Sequence, residues 1–576
     1  MARLRLLTIL IAGAALSACA SQPAPPPAAP IVDAEPTPDP GTSPYGLFLA
    51  GHAARDAGEL GAAAAYLGRA ASTAGEPTYV RVEAFDATLR AGDVTGAAAL
   101  APAQDDPNLA ARRLGVLVRG VEAMAAGKDK DAYALLSGPE AGYPHKAMAQ
   151  LLAPFAAAGA GDAAHATAHP DMGGDGVSQF VADLDQAELD ERLGKAADAE
   201  ATYKGLLSDG DESGLVAVSY GAFLERRGRW GDAAKLYRDR LAHEADNQPI
   251  ADALARAMKH GRPPPLASIR QGASEAMLIP AAGMIAQKQD GYGLDYLRLA
   301  LRLDPGNSEA WILVGDLLLQ PDPDAARFAY AQVQPSSDRY VAARGKLAWT
   351  YQNAGEPDEA LKIARDTAAA APASREAAAS LADLLRANGQ FAESAAVLTR
   401  LIDAAGSQAD WRLFYLRATA NQEIGDVDKT EADLQTALKL DPDEPELLNF
   451  QAYFWIDRGE HLQEALAMVQ RAVEADPQSG EMIDSLGWAY YRLGDYKSAV
   501  EKLEQAIALE PAIPEVNDHL GDAYWRVGRK TEAEFQWRRV LSLDANAKLK
   551  ARADAKLASP LGPDAPTAPM PSTITQ

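Results

Sequence analysis

The chain has 576 residues, with 80 acidic against 55 basic side chains and a formal net charge of -25. An acidic surface of this size repels phosphate backbones and excludes nucleic acid as a partner. One cysteine in the whole chain excludes an internal disulfide and a multi-cysteine metal site, and the length calls for several domains or a repeat array.

The first predicted element is MARLRLLTILIAGAALSAC. Arg3 and Arg5 precede an apolar run, and small residues follow, which is the layout of a secretory signal over residues 1–18. The run is too short and too rich in Ala and Gly to span a bilayer, and no later stretch is long and apolar enough to do so. Residues 19–44, rich in Pro and Ala, lack the apolar content for a core. Such a segment is semi-rigid and extended, and predicts a stalk.

The stretch Leu16-Ser17-Ala18-Cys19 resembles the lipobox of bacterial lipoproteins. That resemblance implies cleavage before Cys19, acylation of its thiol and a palmitate-type anchor. Several buried acyl chains hold a protein to a membrane almost permanently. The competing reading is an ordinary signal followed by an unused cysteine. Ala20 in place of an aspartate resembles an outer-membrane address.

Two arrays of helix pairs are predicted next, over 45–243 and 273–546, separated by an irregular joint at 244–272. The joint contains KHGRPPPL (259–266), whose three prolines end any helix. The period is clearest near the end. Leu486-Gly487 recurs as Leu520-Gly521, Tyr490 as Tyr524, Gly494 as Gly528 and Ala499 as Ala533, each step being 34 residues. Gly487 and Ala499 let paired helices approach, Gly494 ends the first helix, and Tyr490 and Leu503 are expected to fill the space between neighbouring pairs. The frame runs back through Ala452, Ala418, Ala382 and Ala348, and more weakly through Gly221, Ala187, Gly120 and Gly51, for about thirteen pairs. The Ala- and Gly-rich first array buries less apolar area per unit and is expected to be the looser. Residues 547–576 read as a helix end and a Pro-rich disordered tail.

The pattern L-G-x-x-Y, then G, A and P, resembles the tetratricopeptide repeat. The resemblance implies an all-α fold, an α-solenoid of helix pairs in a right-handed superhelix. With the lipobox, the chain resembles the tetratricopeptide lipoproteins of the Gram-negative outer membrane. Members of that class serve as adaptors for periplasmic carboxyl-terminal processing proteases. The alternative is a structural component of outer-membrane protein assembly or polysaccharide export.

Little in the sequence suggests chemistry. His165 and His169 are four apart, but Ala166 stands where a zinc-protease pattern needs glutamate. There is no P-loop and no GxSxG, and His519 sits inside a repeat helix. No cofactor, metal or small-molecule substrate is expected, and the chain reads as no enzyme. The candidate binding residues are Tyr453, Trp488, Tyr491, Arg492, Trp525 and Arg526, on one face of successive first helices. Trp, Tyr and Arg are enriched at binding hot spots, although packing between repeats recruits the same aromatics. The positions used by carboxylate-gripping tetratricopeptide domains hold Asp484, Trp488, Asp518 and Asp522, so that clamp is absent.

Overall fold

A computed structural model describes residues 43–73, 77–210, 214–244, 247–543 and 545–559. The signal, Cys19, nearly all of the stalk and the tail beyond 559 lie outside the described residues. All regular structure among the described residues is helical. The chain divides into two compact units, residues 1–363 and 364–576.

Local chemistry sets the helix pairs. Ser479 accepts from the Met482 amide to start Gly480–Arg492, and Asp495 accepts from the Ser498 amide to start Tyr496–Leu509. Such caps satisfy amides that have no partner inside the helix. Between the two, Gly494 sits at φ +85°, a conformation an L side chain rarely adopts. A Cβ on Gly487 would lie 2.6 Å from Leu503 Cγ, so this glycine sets the close approach of the pair. Leu503 thus packs within its own helix pair, against Gly487. In the next pair the indole of Trp537 fills the same space above Gly521. Pro445 and Pro514 occupy first-turn positions, where the missing N–H costs nothing.

The second unit is a run of such pairs. Its main core joins Ala452, Leu486, Trp488, Leu503, Leu520 and Trp537 across successive helices.

The first unit departs from the expected layout. The segment 244–272 lies inside it and contains a regular helix, Gln248–Met258, capped by Asn247. After the three prolines the chain turns back on the first array. The helix Asp290–Leu303 is buried around most of its circumference. Arg302 forms a 2.8 Å ion pair with Glu122, Arg298 Nε donates to the Arg90 carbonyl at 3.0 Å, and Arg270 Nε donates to the Met124 carbonyl at 2.9 Å. These contacts join segments that the sequence frame keeps in separate arrays. Periodicity reports which residues of a helix face inward, and carries no information on which distant helix they meet.

His145 belongs to this cross-packing. It is 2% exposed, and its Nδ1 lies 3.0 Å from the Tyr296 hydroxyl. Burial lowers its pKa to about 4. The unfolded chain takes up this proton below an ordinary value near 6.5, whereas the fold resists it until about 4. Stability therefore falls as pH drops through that window, by on the order of 3 kcal/mol for this residue. His145→Gln is expected to flatten that acid limb in denaturant titrations at pH 7 and pH 4. An unchanged limb would count against the burial argument.

Candidate protein-binding surface

In the second unit the 34-residue frame stacks equivalent positions on successive first helices. One row runs Asp484, Asp518, Arg552. The next runs Trp488, Asp522, Lys556. The terminal helix Ala547–Ala558 thus takes the place of a further first helix. Asn546 caps it, and Leu549 and Ala553 are buried beneath it.

These rows make a buried ionic network. Lys556 Nζ lies 2.7 Å from Asp518 Oδ1 and 2.6 Å from Asp522 Oδ1. Arg552 also pairs with Asp518. Burial by itself would raise the Asp518 pKa, but the ammonium of Lys556 and the guanidinium of Arg552 outweigh it and hold the carboxyl low. Asp522, buried with less cationic compensation, moves upward. His519 is fully buried. Its Nδ1 sits 2.9 Å from Asp484 Oδ2, and its ring stacks on Trp488 at 4.1 Å.

The six candidate residues are mostly held inside this packing. Trp488 is 1% and Tyr491 5% exposed. Their rings stack at 4.6 Å. Both belong to the core between repeats, which corrects the expectation that they face a ligand. The physical reason is that the following pair closes over this face, with His519 stacked on Trp488 and Arg526 bonded to the Tyr491 hydroxyl. The other four are half-buried. Arg526 Nε donates to the Tyr491 hydroxyl at 3.2 Å, and Arg492 donates to the Asp457 carbonyl at 2.8 Å. Trp525 packs on Trp537, with the Lys530 ammonium 4.9 Å from its ring centre. Tyr453 packs against the same core.

Exposed or half-buried glutamates recur on three successive first helices, at Glu446, Glu481 and Glu515. Partial desolvation, and after it the carboxylates of Glu510, Asp484, Glu515 and Glu446, push Glu481 above the ordinary carboxylate range. Burial, then Glu446 and Glu481, raise the Tyr415 phenol to about 12. Carboxylates from several successive repeats therefore act on one another. The sequence reading missed this accumulation, and also missed the terminal helix. Extending the frame by 34 from Asp518 and Asp522 finds Arg552 and Lys556.

The two histidines at 165 and 169 stay on the surface. His165 Nδ1 lies 2.7 Å from Asp162 Oδ2, and His169 Nδ1 lies 3.6 Å from Asp183. Among the described residues no cluster of three metal-ligating side chains occurs, and no helix is long and apolar enough to cross a membrane.

Helix pairs at a 34-residue period, closed by small residues at fixed positions, make this an α-solenoid of tetratricopeptide helix pairs. A tetratricopeptide repeat model matches residues 487–528, and a model for ChAPs, the Chs5p-Arf1p-binding proteins, matches residues 360–507. The chain is 30% identical over 90 residues to the TPR repeat-containing protein PA4667 of Pseudomonas aeruginosa, a match covering 16% of this chain and 15% of that protein. Among solved structures, the Cut9–Hcn1 hetero-tetramer of APC/C aligns at 14% identity with a TM-score of 0.37, over 90% of this chain and 96% of that one. The protein TTC0263 of Thermus thermophilus aligns at 22% identity with a TM-score of 0.29, over 32% and 100%.

Proposed function

We propose that this chain is a non-enzymatic protein-binding scaffold, anchored through lipidated Cys19 in the outer membrane with its body in the periplasm. Its task is to dock a soluble partner there, such as a carboxyl-terminal processing protease and its substrates. The observation that carries the binding reading is the acidic face shared by successive first helices, Glu446, Glu481 and Glu515 among them. Rows of like charge on a solenoid give a long surface complementary to a basic or polar segment. The anchor rests on the lipobox and the Pro-rich segment after it.

Cys19→Ser is expected to move the mature chain from the membrane fraction to the soluble fraction, with its helical content unchanged. A variant still fully membrane-bound would refute the anchor. Copurification from solubilised envelopes tests the scaffold. A protease among the partners supports the adaptor reading, and recovery of barrel or export proteins alone overturns it. Glu446→Lys with Glu481→Lys is expected to weaken capture at low salt, since a rim charge acts mainly through association.

A further inference from the structure

The first unit holds a cavity that the acidic face does not include. It arises where two second helices are cut short. Val94–Leu100 and Asp129–Leu136 have 7 and 8 residues, against 14 in Tyr496–Leu509. The sequence explains both truncations. Pro102 forces Ala101 out of the helical region, to ψ 136°, and Gly138-Pro139 stops the second helix. The missing turns leave a space of about 390 Å³ beside the helix Leu109–Ala125.

Its walls mix apolar side chains, Pro102, Val116, Leu135 and Pro139 among them, with polar groups. One cation lines it. Arg119 Nη1 donates to the Pro102 carbonyl at 3.2 Å, which fixes the guanidinium at the cavity. Among the described residues no carboxylate forms an ion pair with it. The one acid on the wall, Glu140, is already paired with Arg112 at 2.9 Å. Burial depresses the Arg119 pKa, so the site favours a compensating anion. Ala103 and Gln104 also line the cavity, and their backbone N–H groups have no acceptor among the described residues.

We propose that this cavity binds the C-terminal residue of a peptide, with its carboxylate on Arg119 and the amides of Ala103 and Gln104, and a small apolar side chain against Val116 and Leu135. A planar fork with backbone donors matches a carboxylate better than a point charge would. The volume is near the lower end of ligand sites, about 300–1,000 Å³, which suits a chain end of one or two small residues. Glu140 on the rim disfavours a second negative charge, which sets a neutral terminal side chain apart from an acidic one.

The inference rests on the protein-binding reading and names a ligand class for it. Its test uses the full chain and a fluorescein-labelled hexapeptide ending in Ala-Val-Ala-Ala, as the free acid and as the amide. Fluorescence anisotropy is expected to show at least tenfold weaker binding of the amide. Arg119→Gln is expected to lower the affinity of the acid to that of the amide, with an unchanged melting curve. Ala134→Trp, which fills the cavity from an exposed position, is expected to abolish binding of both. Equal affinity for acid and amide, no binding of the acid, or full affinity in Arg119→Gln would each overturn the proposal. Such a result leaves the scaffold reading intact, because envelope copurification does not use this peptide. Failure of copurification would refute the scaffold while leaving the peptide measurement valid.

Discussion

Trp488→Ala is expected to lower the stability of the second unit by about 3–5 kcal/mol, the usual cost of removing a large buried aromatic side chain. The indole stacks between Tyr491 at 4.6 Å and His519 at 4.1 Å, and is almost wholly enclosed. Its loss leaves a void across two neighbouring helix pairs. In a repeat array each pair contacts only its neighbours, so the damage should concentrate at the C-terminal end. Urea unfolding, with hydrogen exchange over residues 480–558, checks both size and place. Trp488→Phe keeps part of the stack and should cost less. A docking residue behaves differently: truncation weakens partner binding by about 2 kcal/mol or more and leaves the melting temperature in place. Unchanged stability in Trp488→Ala would restore this residue to the binding surface.

Asp518→Ala is expected to cost a similar amount, about 3–5 kcal/mol, because it removes the carboxylate that pairs with Arg552 and leaves the buried Lys556 with Asp522 alone. The terminal helix Ala547–Ala558 should detach first, seen as earlier proteolytic cleavage near residue 545. The exposed pair Arg529–Glu504 supplies the comparison. Its side chains are 42% and 44% exposed, and Arg529→Ala should cost under about 1 kcal/mol. If the two variants cost the same, the network is not the clamp described. The pH dependence has a definite sign. Asp518 is held below its ordinary range, so its contribution is present above the unfolded carboxylate pKa and is lost as pH falls through the folded one. Asp518→Asn should remove that acid-side loss.

Much of the architecture was legible in the residues. Leu486-Gly487, Gly494 and Ala499 recur at a fixed step because each meets a constraint inside its own helix pair. Gly494 must adopt a positive φ, and Gly487 must admit Leu503. Such constraints are local, so they print a period on the sequence. The same frame placed Trp488, Tyr491, Arg492, Trp525 and Arg526 on one face of successive helices. Whether that face met solvent or protein was decided by the neighbouring helices, where His519 of the following pair stacks on Trp488 and Trp537 of the same pair packs on Trp525.

The tertiary structure alone decided three things. It brought the helix Asp290–Leu303 back onto Leu109–Ala125 through Arg302 and Glu122. It set Lys556 between Asp518 and Asp522. It set Arg119 against the Pro102 carbonyl, beside the space that two short second helices leave. By itself the sequence determined the helix pairs, their period and the acidic charge, since each is written in residue types along the chain. The long-range pairings depend on which surfaces meet once the chain has reversed direction, and the final direction of a reversal is the sum of packing over many residues. That sum has no period for a sequence to display.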